Sequence, residues 1–233
     1  GRAAGELQLS GQEDDGVGRL VAFEDQASLR AVGAERAYDT GDYLFLEGDE
    51  PTHAIVLLAG QLKLTRSSPD GRSVLIEIRQ QGELVGESGP IDRQPRSASA
   101  VALTPVEALV VPAAAFRRLL EERGTVALQL IVTLVERLRE SAERRLESGT
   151  SDAVTRLAGR LVELSEDKPQ TTAGEVVLGS ALTQQDLAEW IGVSRDAVVL
   201  AFRQLRALGL IETGRRQIRI LDLEGLRHFA HPG

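Results

Sequence analysis

The sequence predicts an α+β chain in which an all-β unit, one long amphipathic helix and a winged helix-turn-helix follow one another. Three observations predict it. Between Glu35 and Val111 short apolar runs alternate with turn signals. From Phe116 to Glu147 no proline intervenes and the apolar residues recur at steps of three and four. From Ala181 to Asp222 two short helical patterns flank a glycine turn and lead into two β-prone runs.

Bulk properties narrow the function classes. The chain has 233 residues, 42% apolar and 27% charged, the balance of a soluble globular protein with one large or two ordinary domains. No apolar run approaches the roughly 20 residues of a membrane helix. No basic segment followed by a long apolar one marks a secretory signal, so a cytoplasmic protein is expected, without membrane partners. Cysteine is absent, which excludes disulfides, thiol catalysis and Cys-ligated clusters. The three histidines are His53, His228 and His231, too few and too scattered for a histidine metal site. No nucleophile–base constellation, phosphate loop or metal-ligand spacing is present, so no catalytic residue, metal or obligatory cofactor is expected.

The net charge is −8, yet it is unevenly spread. Residues 1–150 carry 17 basic and 24 acidic side chains, whereas residues 151–233 carry 10 and 11. Within 181–220 six arginines outnumber four acids, a modest positive patch on an acidic protein.

Taken in chain order, residues 1–18, ending in "GQEDDGVG", are Gly-rich, acidic and aperiodic, and read as a flexible tail. A short helix is expected around Asp25 to Val32. The all-β unit then spans 19–115, with turns at "TGD", "EGDEP", "AGQ" and "SPDG". Its strands include Ala54–Leu58, Leu62–Thr65, Val74–Ile78 and Glu107–Val111. Residues 116–149 form the long helix and a hinge. Its stripe of Ile131, Leu134/Val135, Leu138 and Ala142 cannot be buried against a small barrel alone, so a partner helix and a homodimer are expected. The alternative is an ordinary core helix. "ESGTSD" at Glu147–Asp152 supplies a glycine hinge and a cap for a helix from Ala153 to Ser165, and residues 150–233 form the last domain.

That domain holds the most specific pattern. Thr183 and Asp186 have capping-box spacing, Leu187 and Ile191 mark a buried face, Ala188 permits a close crossing and Gly192 supplies the turn. Ser194 caps a second helix whose inward set is Ala197, Val198, Ala201, Phe202 and Leu205. Arg195, Asp196, Val199, Leu200 and Arg203 remain outward, in the position of a recognition helix for the DNA major groove. An arginine donating two bonds to guanine discriminates by about 1–3 kcal/mol, and Asp196 can accept from cytosine. Val199 and Leu200 suit thymine methyl groups. Thr183, Gln184 and Gln185 open the first helix beside the duplex. Leu210–Thr213 and Gln217–Leu221 form a wing with Arg215 and Arg216 at its tip, suited to phosphates. Two such readers on a dimer predict a palindromic double-stranded DNA site. A helical hairpin with scattered surface charge is the alternative.

From about Phe23 to Arg227 the chain resembles the bacterial superfamily of the cyclic-AMP receptor protein and the fumarate–nitrate regulator. The resemblance rests on "GDYLFLEGDE", "LLAGQLKL" before "SPDGR", "GELVGE" with "PRSA" beyond it, the long helix, and "LTQQDLAEWIGVSRDAV". It implies a cyclic-nucleotide-binding-like β-roll, a dimerising helix, a winged helix-turn-helix and RNA polymerase as a partner. It also implies that Gly82–Ala102 is a phosphate-binding cassette. Arg96 would be the cation, amides near Gly86 and Ser97 the donors, Glu87 the acceptor for a ribose hydroxyl, and Ser88 and Ser97 the neighbouring hydroxyls. A plain ion pair between Glu87 and Arg96 is the structural alternative. Cyclic AMP, cyclic GMP or a cyclic dinucleotide is the candidate effector. The pair that contacts the base from the long helix corresponds to Ser141 and Ala142, and Ala142 cannot hydrogen-bond. Leu200 stands where the best-known members carry a second arginine, so the operator should differ from theirs. Two rival functions follow: a nucleotide-independent regulator of the same kind, and a cyclic-nucleotide-binding regulatory subunit of an enzyme.

Overall fold

The computed structural model describes residues 23–68, 73–150, 152–166, 168–171, 174–179, 182–214 and 217–230. Helix α1 (Phe23–Val32) leads into β1 (Ala34–Tyr38), β2 (Tyr43–Phe45), β3 (His53–Ala59), β4 (Leu62–Ser67), β5 (Ser73–Arg79) and β6 (Leu84–Val85). The short α2 (Ser88–Asp92), β7 (Ser99–Ala102) and β8 (Val106–Pro112) complete this unit. The strands form two antiparallel four-stranded sheets, in the orders β1-β8-β3-β6 and β2-β7-β4-β5. Phe45, Ile55, Leu57, Leu62, Ala100 and Ala108 fill the space between them. Strand β3 is apolar on both faces, because Ala54 and Val56 bury against the helices on the other side. The expected strands fall within these elements. The tail and the tip of the "SPDG" turn lie outside the described residues.

The expected single helix from Phe116 is two helices, α3 (Ala113–Glu122) and α4 (Gly124–Thr150), parted by extended Arg123 (φ −123°, ψ 90°). Phe116 and Leu119 of α3 and Val126 and Leu130 of α4 enter the same cluster on β3, so the chain must bend to lay both segments there. Gly124, a poor helix former, stands at the bend. At the other end α4 continues through Gly149 to Thr150, past the start of the expected hinge.

Next come α5 (Ala153–Ser165), β9 (Val176–Gly179), α6 (Gln184–Ile191), α7 (Arg195–Ala207), β10 (Ile211–Gly214), β11 (Gln217–Ile220) and α8 (Leu223–Ala230). Asp152 caps α5 by accepting from the Thr155 amide at 2.8 Å. The wing hairpin β10-β11 gains β9 as a third strand. Leu157, Leu161, Leu187, Val198, Leu205, Ile220 and Leu226 form the core of this domain. The same core extends into the β-roll through Leu75, Ile78 and Leu103.

Candidate effector pocket and nucleic-acid interface

The cassette leaves β6 at Gly86, passes through α2 and returns to β7 at Arg96 and Ser97. Gly86 takes φ +69°, and a Cβ there would stand 2.4 Å from Arg96 Nη1, so the turn needs glycine. Two backbone bonds pin the returning strand to the β2–β3 loop: Arg96 N–H to the Asp49 carbonyl and Gly48 N–H to the Arg96 carbonyl, each at 2.9 Å.

Arg96 is buried, and most of its donors face the protein. Nη1 donates to the Gly86 carbonyl at 2.6 Å and Nη2 to the His53 carbonyl at 2.5 Å. The guanidinium lies over the Phe45 ring, 4.1 Å from its centroid. Its Nε is buried without a hydrogen-bond partner among the described residues. Burial lowers the Arg96 pKa, against the opposing pull of Asp49 and Glu87. His53 meets Phe45 edge-on, and burial, followed by the charges of Arg96 and Arg36, holds its imidazole below the usual pKa.

Glu87 is buried too, but its partner is not the Arg96 of the structural alternative. Arg137 of α4 donates from Nη1 to Glu87 Oε1 and from Nη2 to the Leu84 carbonyl, both at 3.0 Å. The simple Glu87–Arg96 ion pair is therefore corrected: in this loop the carboxylate reaches the long helix, while the arginine reaches the sheet. Arg137 also stands 3.7 Å from Glu83, which is 3.5 Å from Arg79, itself paired with Glu77 at 2.5 Å. Burial raises the Glu83 pKa despite both arginines.

Arg137 is the residue that sequence reasoning missed. The available signal was its place four residues before Ser141, one turn away on the same side of α4. Ser141 is half-buried and Ala142 exposed, as are Ser88 and Ser97. The structure thus gathers Gly86, Glu87 and Arg96 around one loop and sets Ser141 one turn beyond the arginine that holds Glu87. The unpartnered Nε leaves this guanidinium a donor for a singly charged phosphodiester. Ala142 offers nothing to a base.

The reading end follows the expected local chemistry. Thr183 Oγ1 accepts from the Asp186 amide at 3.0 Å and Asp186 Oδ2 accepts from the Thr183 amide at 2.9 Å, closing the capping box of α6. Gly192 ends α6 at φ +68°, and Ser194 caps α7 through the Ala197 amide at 3.2 Å. Arg195, Asp196 and Arg203 are exposed, and Leu200 shows 57% of its surface. Val199 is half-buried instead, lining a cleft of about 690 Å³ that faces Leu103 and Pro105. Thr183, Gln184 and Gln185 are exposed at the start of α6. Arg206 ties α7 to the wing by donating to Thr213 Oγ1 at 2.6 Å. Arg215 and Arg216 lie outside the described residues. Among the described residues no group of acids and histidines could hold a metal, and no helix is long and apolar enough to cross a membrane.

A β-roll joined by a long helix to a winged helix-turn-helix defines a class of DNA-binding regulators. Residues 35–123 match the cyclic nucleotide-binding domain and residues 155–229 the Crp-like helix-turn-helix domain. The "CRP-like cAMP-activated global transcriptional regulator" of Mycobacterium tuberculosis is 28% identical over 83% of this chain and 86% of its own. A CRP/FNR-family regulator from Thermus thermophilus superposes with a TM-score of 0.69 at 26% identity, covering 84% of this chain and 98% of that one. FixK2 from Bradyrhizobium japonicum shares the fold, with a TM-score of 0.75 at 20% identity, 86% of this chain and 98% of that one. This chain belongs to the CRP/FNR family of transcription factors. It is a DNA-binding regulator of that type and not an enzyme.

Proposed function

We propose that the protein works as a homodimer on a palindromic DNA site and that a cyclic nucleotide or related small effector, bound at the cassette, sets its affinity. One observation carries this reading: the cassette acid Glu87 is held by Arg137 of the same long helix that presents an apolar seam. Along α4, Leu128, Ile131, Val135 and Leu138 are 62%, 55%, 41% and 70% exposed at three- and four-residue steps. That spacing is the seam of a two-helix coil, and a second copy of the chain covers it. Ala142 continues the stripe, where a small residue lets two helices approach closely.

Arg96 with its buried Nε would hold the phosphate, Glu87 the ribose hydroxyl and Ser141 the base side of the pocket. A ligand that engages Glu87 perturbs its bond to Arg137 and so acts on the seam. The result is a population shift, provided the ligand favours one arrangement of the dimer. Arg195 and Asp196 would read base edges, Leu200 a methyl group, Arg203 and the wing arginines phosphates. RNA polymerase would be the downstream partner, in the cytoplasm.

A second reading, regulation independent of nucleotide, has its own support in Arg96, whose two terminal nitrogens already serve backbone carbonyls. Titrating a duplex selected from random oligonucleotides, with and without cyclic AMP, cyclic GMP and cyclic di-GMP, separates the two. A shift in DNA affinity with one nucleotide supports the first reading. Unchanged affinity with all three supports the second. Absence of any selected duplex rejects both.

A further inference from the structure

The sensor and the reader of one chain share a seam with a polar edge. Leu75 and Ile78 of β5 and Leu103 pack in one cluster with Leu187, Ala188 and Ile191 of α6. At the edge, Lys63 of β4 donates from Nζ to Asp186 Oδ1 at 2.5 Å, with side chains only 24% and 11% exposed. Asp186 is already committed locally. Its other oxygen accepts the Thr183 amide at 2.9 Å and the Thr183 hydroxyl at 2.7 Å. A single carboxylate therefore starts the first helix of the helix-turn-helix and fastens that helix to the β-roll, across 123 residues of sequence.

The docked arrangement leaves the outward face of α7 open. Arg195, Asp196, Leu200 and Arg203 are all exposed while α6 is held against β4 and β5. Docking thus fixes the orientation of the reader with these four side chains open, while Val199, Thr183 and Gln184 line the cleft that faces Leu103 and Pro105 of the β-roll. A reader held this way loses less orientational freedom when DNA binds, and apparent affinity rises with the docked fraction. Burial alone would push the Asp186 carboxyl up, but the bonds from Lys63 and Thr183 hold it below the usual range, so the charge that the ammonium needs is present.

We propose that Lys63 is a positioning residue that holds the reading domain in its DNA-competent placement through the cap carboxylate of α6. This deepens the regulator reading and rests on it. The test compares the wild-type protein with Lys63→Met, which keeps the stem and removes the charge, and with Lys63→Arg. Because the chain has no cysteine, Glu107→Cys and Ala207→Cys can be introduced into each form and spin-labelled cleanly. Diluting labelled chains into unlabelled protein reports distances within one chain.

The expected result for Lys63→Met is a broadened distance distribution and DNA binding weakened about three- to tenfold, as for a docked fraction reduced to between a third and a tenth. Lys63→Arg restores both. A narrow distribution in Lys63→Met, or DNA binding as tight as or tighter than wild type, overturns the proposal. If wild-type protein selects no duplex at all, the regulator reading fails instead, while the distance measurement still decides the docking.

Discussion

Truncating Arg137 to alanine would strip the Glu87 carboxylate of its cation at 3.0 Å, the Leu84 carbonyl of its donor, and Glu83 of the more distant of its two arginines. Removing one partner of a buried ion pair costs about 3–5 kcal/mol. The lower end applies here, since Glu83 keeps Arg79 at 3.5 Å and the Arg137 and Glu87 side chains are 14% and 11% exposed, which lets water reach the abandoned charge. A loss of about 3 kcal/mol corresponds to a fall of about 6–12 °C in Tm for a folding unit of 150–250 residues. Glu87→Gln keeps an acceptor for Arg137 and should cost less, about 1–2 kcal/mol. The two changes together should cost less than their sum, with a coupling of about 1–3 kcal/mol. Calorimetry and urea unfolding followed by far-UV circular dichroism measure all four proteins. If Arg137→Ala lies within about 0.5 kcal/mol of wild type, or if the two losses simply add, the contact is not a real coupling. A ligand at Glu87 would then have no route to the long helix.

Two further outcomes are expected. Gly86→Ala should destabilise by at least about 1–2 kcal/mol from the left-handed backbone alone, with more from Arg96 being pushed off its two carbonyls; a loss under about 0.5 kcal/mol would show that the turn tolerates a Cβ. His53 has a pKa below the ordinary 6.5 in the folded protein, so the unfolded chain binds more protons as pH falls through that value. Its contribution is fully present above about 6.5 and is lost as pH drops toward the folded pKa, so wild type should lose more stability between about pH 7.5 and 5.5 than His53→Gln does. Equal slopes in unfolding free energy for the two proteins would contradict this.

Local chemistry made the reading domain legible. Thr183, Gly192 and Ser194 each act within three or four residues of themselves, and the helix-turn-helix they delimit appears where their spacing puts it. Strands β3, β4, β5 and β8 of the β-roll were equally readable, because turn signals and apolar runs are also local, whereas β1, β2, β6 and β7 were not named from the sequence. Non-local choices were hidden. Arg123 breaks the long helix only because both flanking segments must reach the same sheet, and periodicity is blind to that. Strand β9 exists by pairing with β11, some forty residues later, and α8 by packing on α5, some seventy residues earlier. In the cassette, composition announced a cation and an acid but not their directions. Glu87 found its partner 50 residues away on α4, and Arg96 found two carbonyls, one of them 43 residues back on β3.

Two of these non-local networks meet on neighbouring rungs of one sheet. In the β4–β5 ladder Arg79 lies opposite Leu62, and Ile78 lies opposite Lys63. Arg79 belongs to the acid–arginine network that ends at Arg137 and Glu87, whereas Ile78 and Lys63 form the seam with α6. One residue step, about 3.3 Å along a strand, therefore separates Arg79 of the network that reaches the cassette from the residues packed against α6. Under the proposed function, a hydroxyl donating to Glu87 weakens its hold on Arg137, and the carboxylate left to Arg137 is Glu83, which it shares with Arg79. A shift of Arg79 is felt at the next rung, because packed strands move as units rather than side chain by side chain. Under the proposed function the β4–β5 ladder is thus a second route, beside the long helix, from the cassette to the reader within one chain.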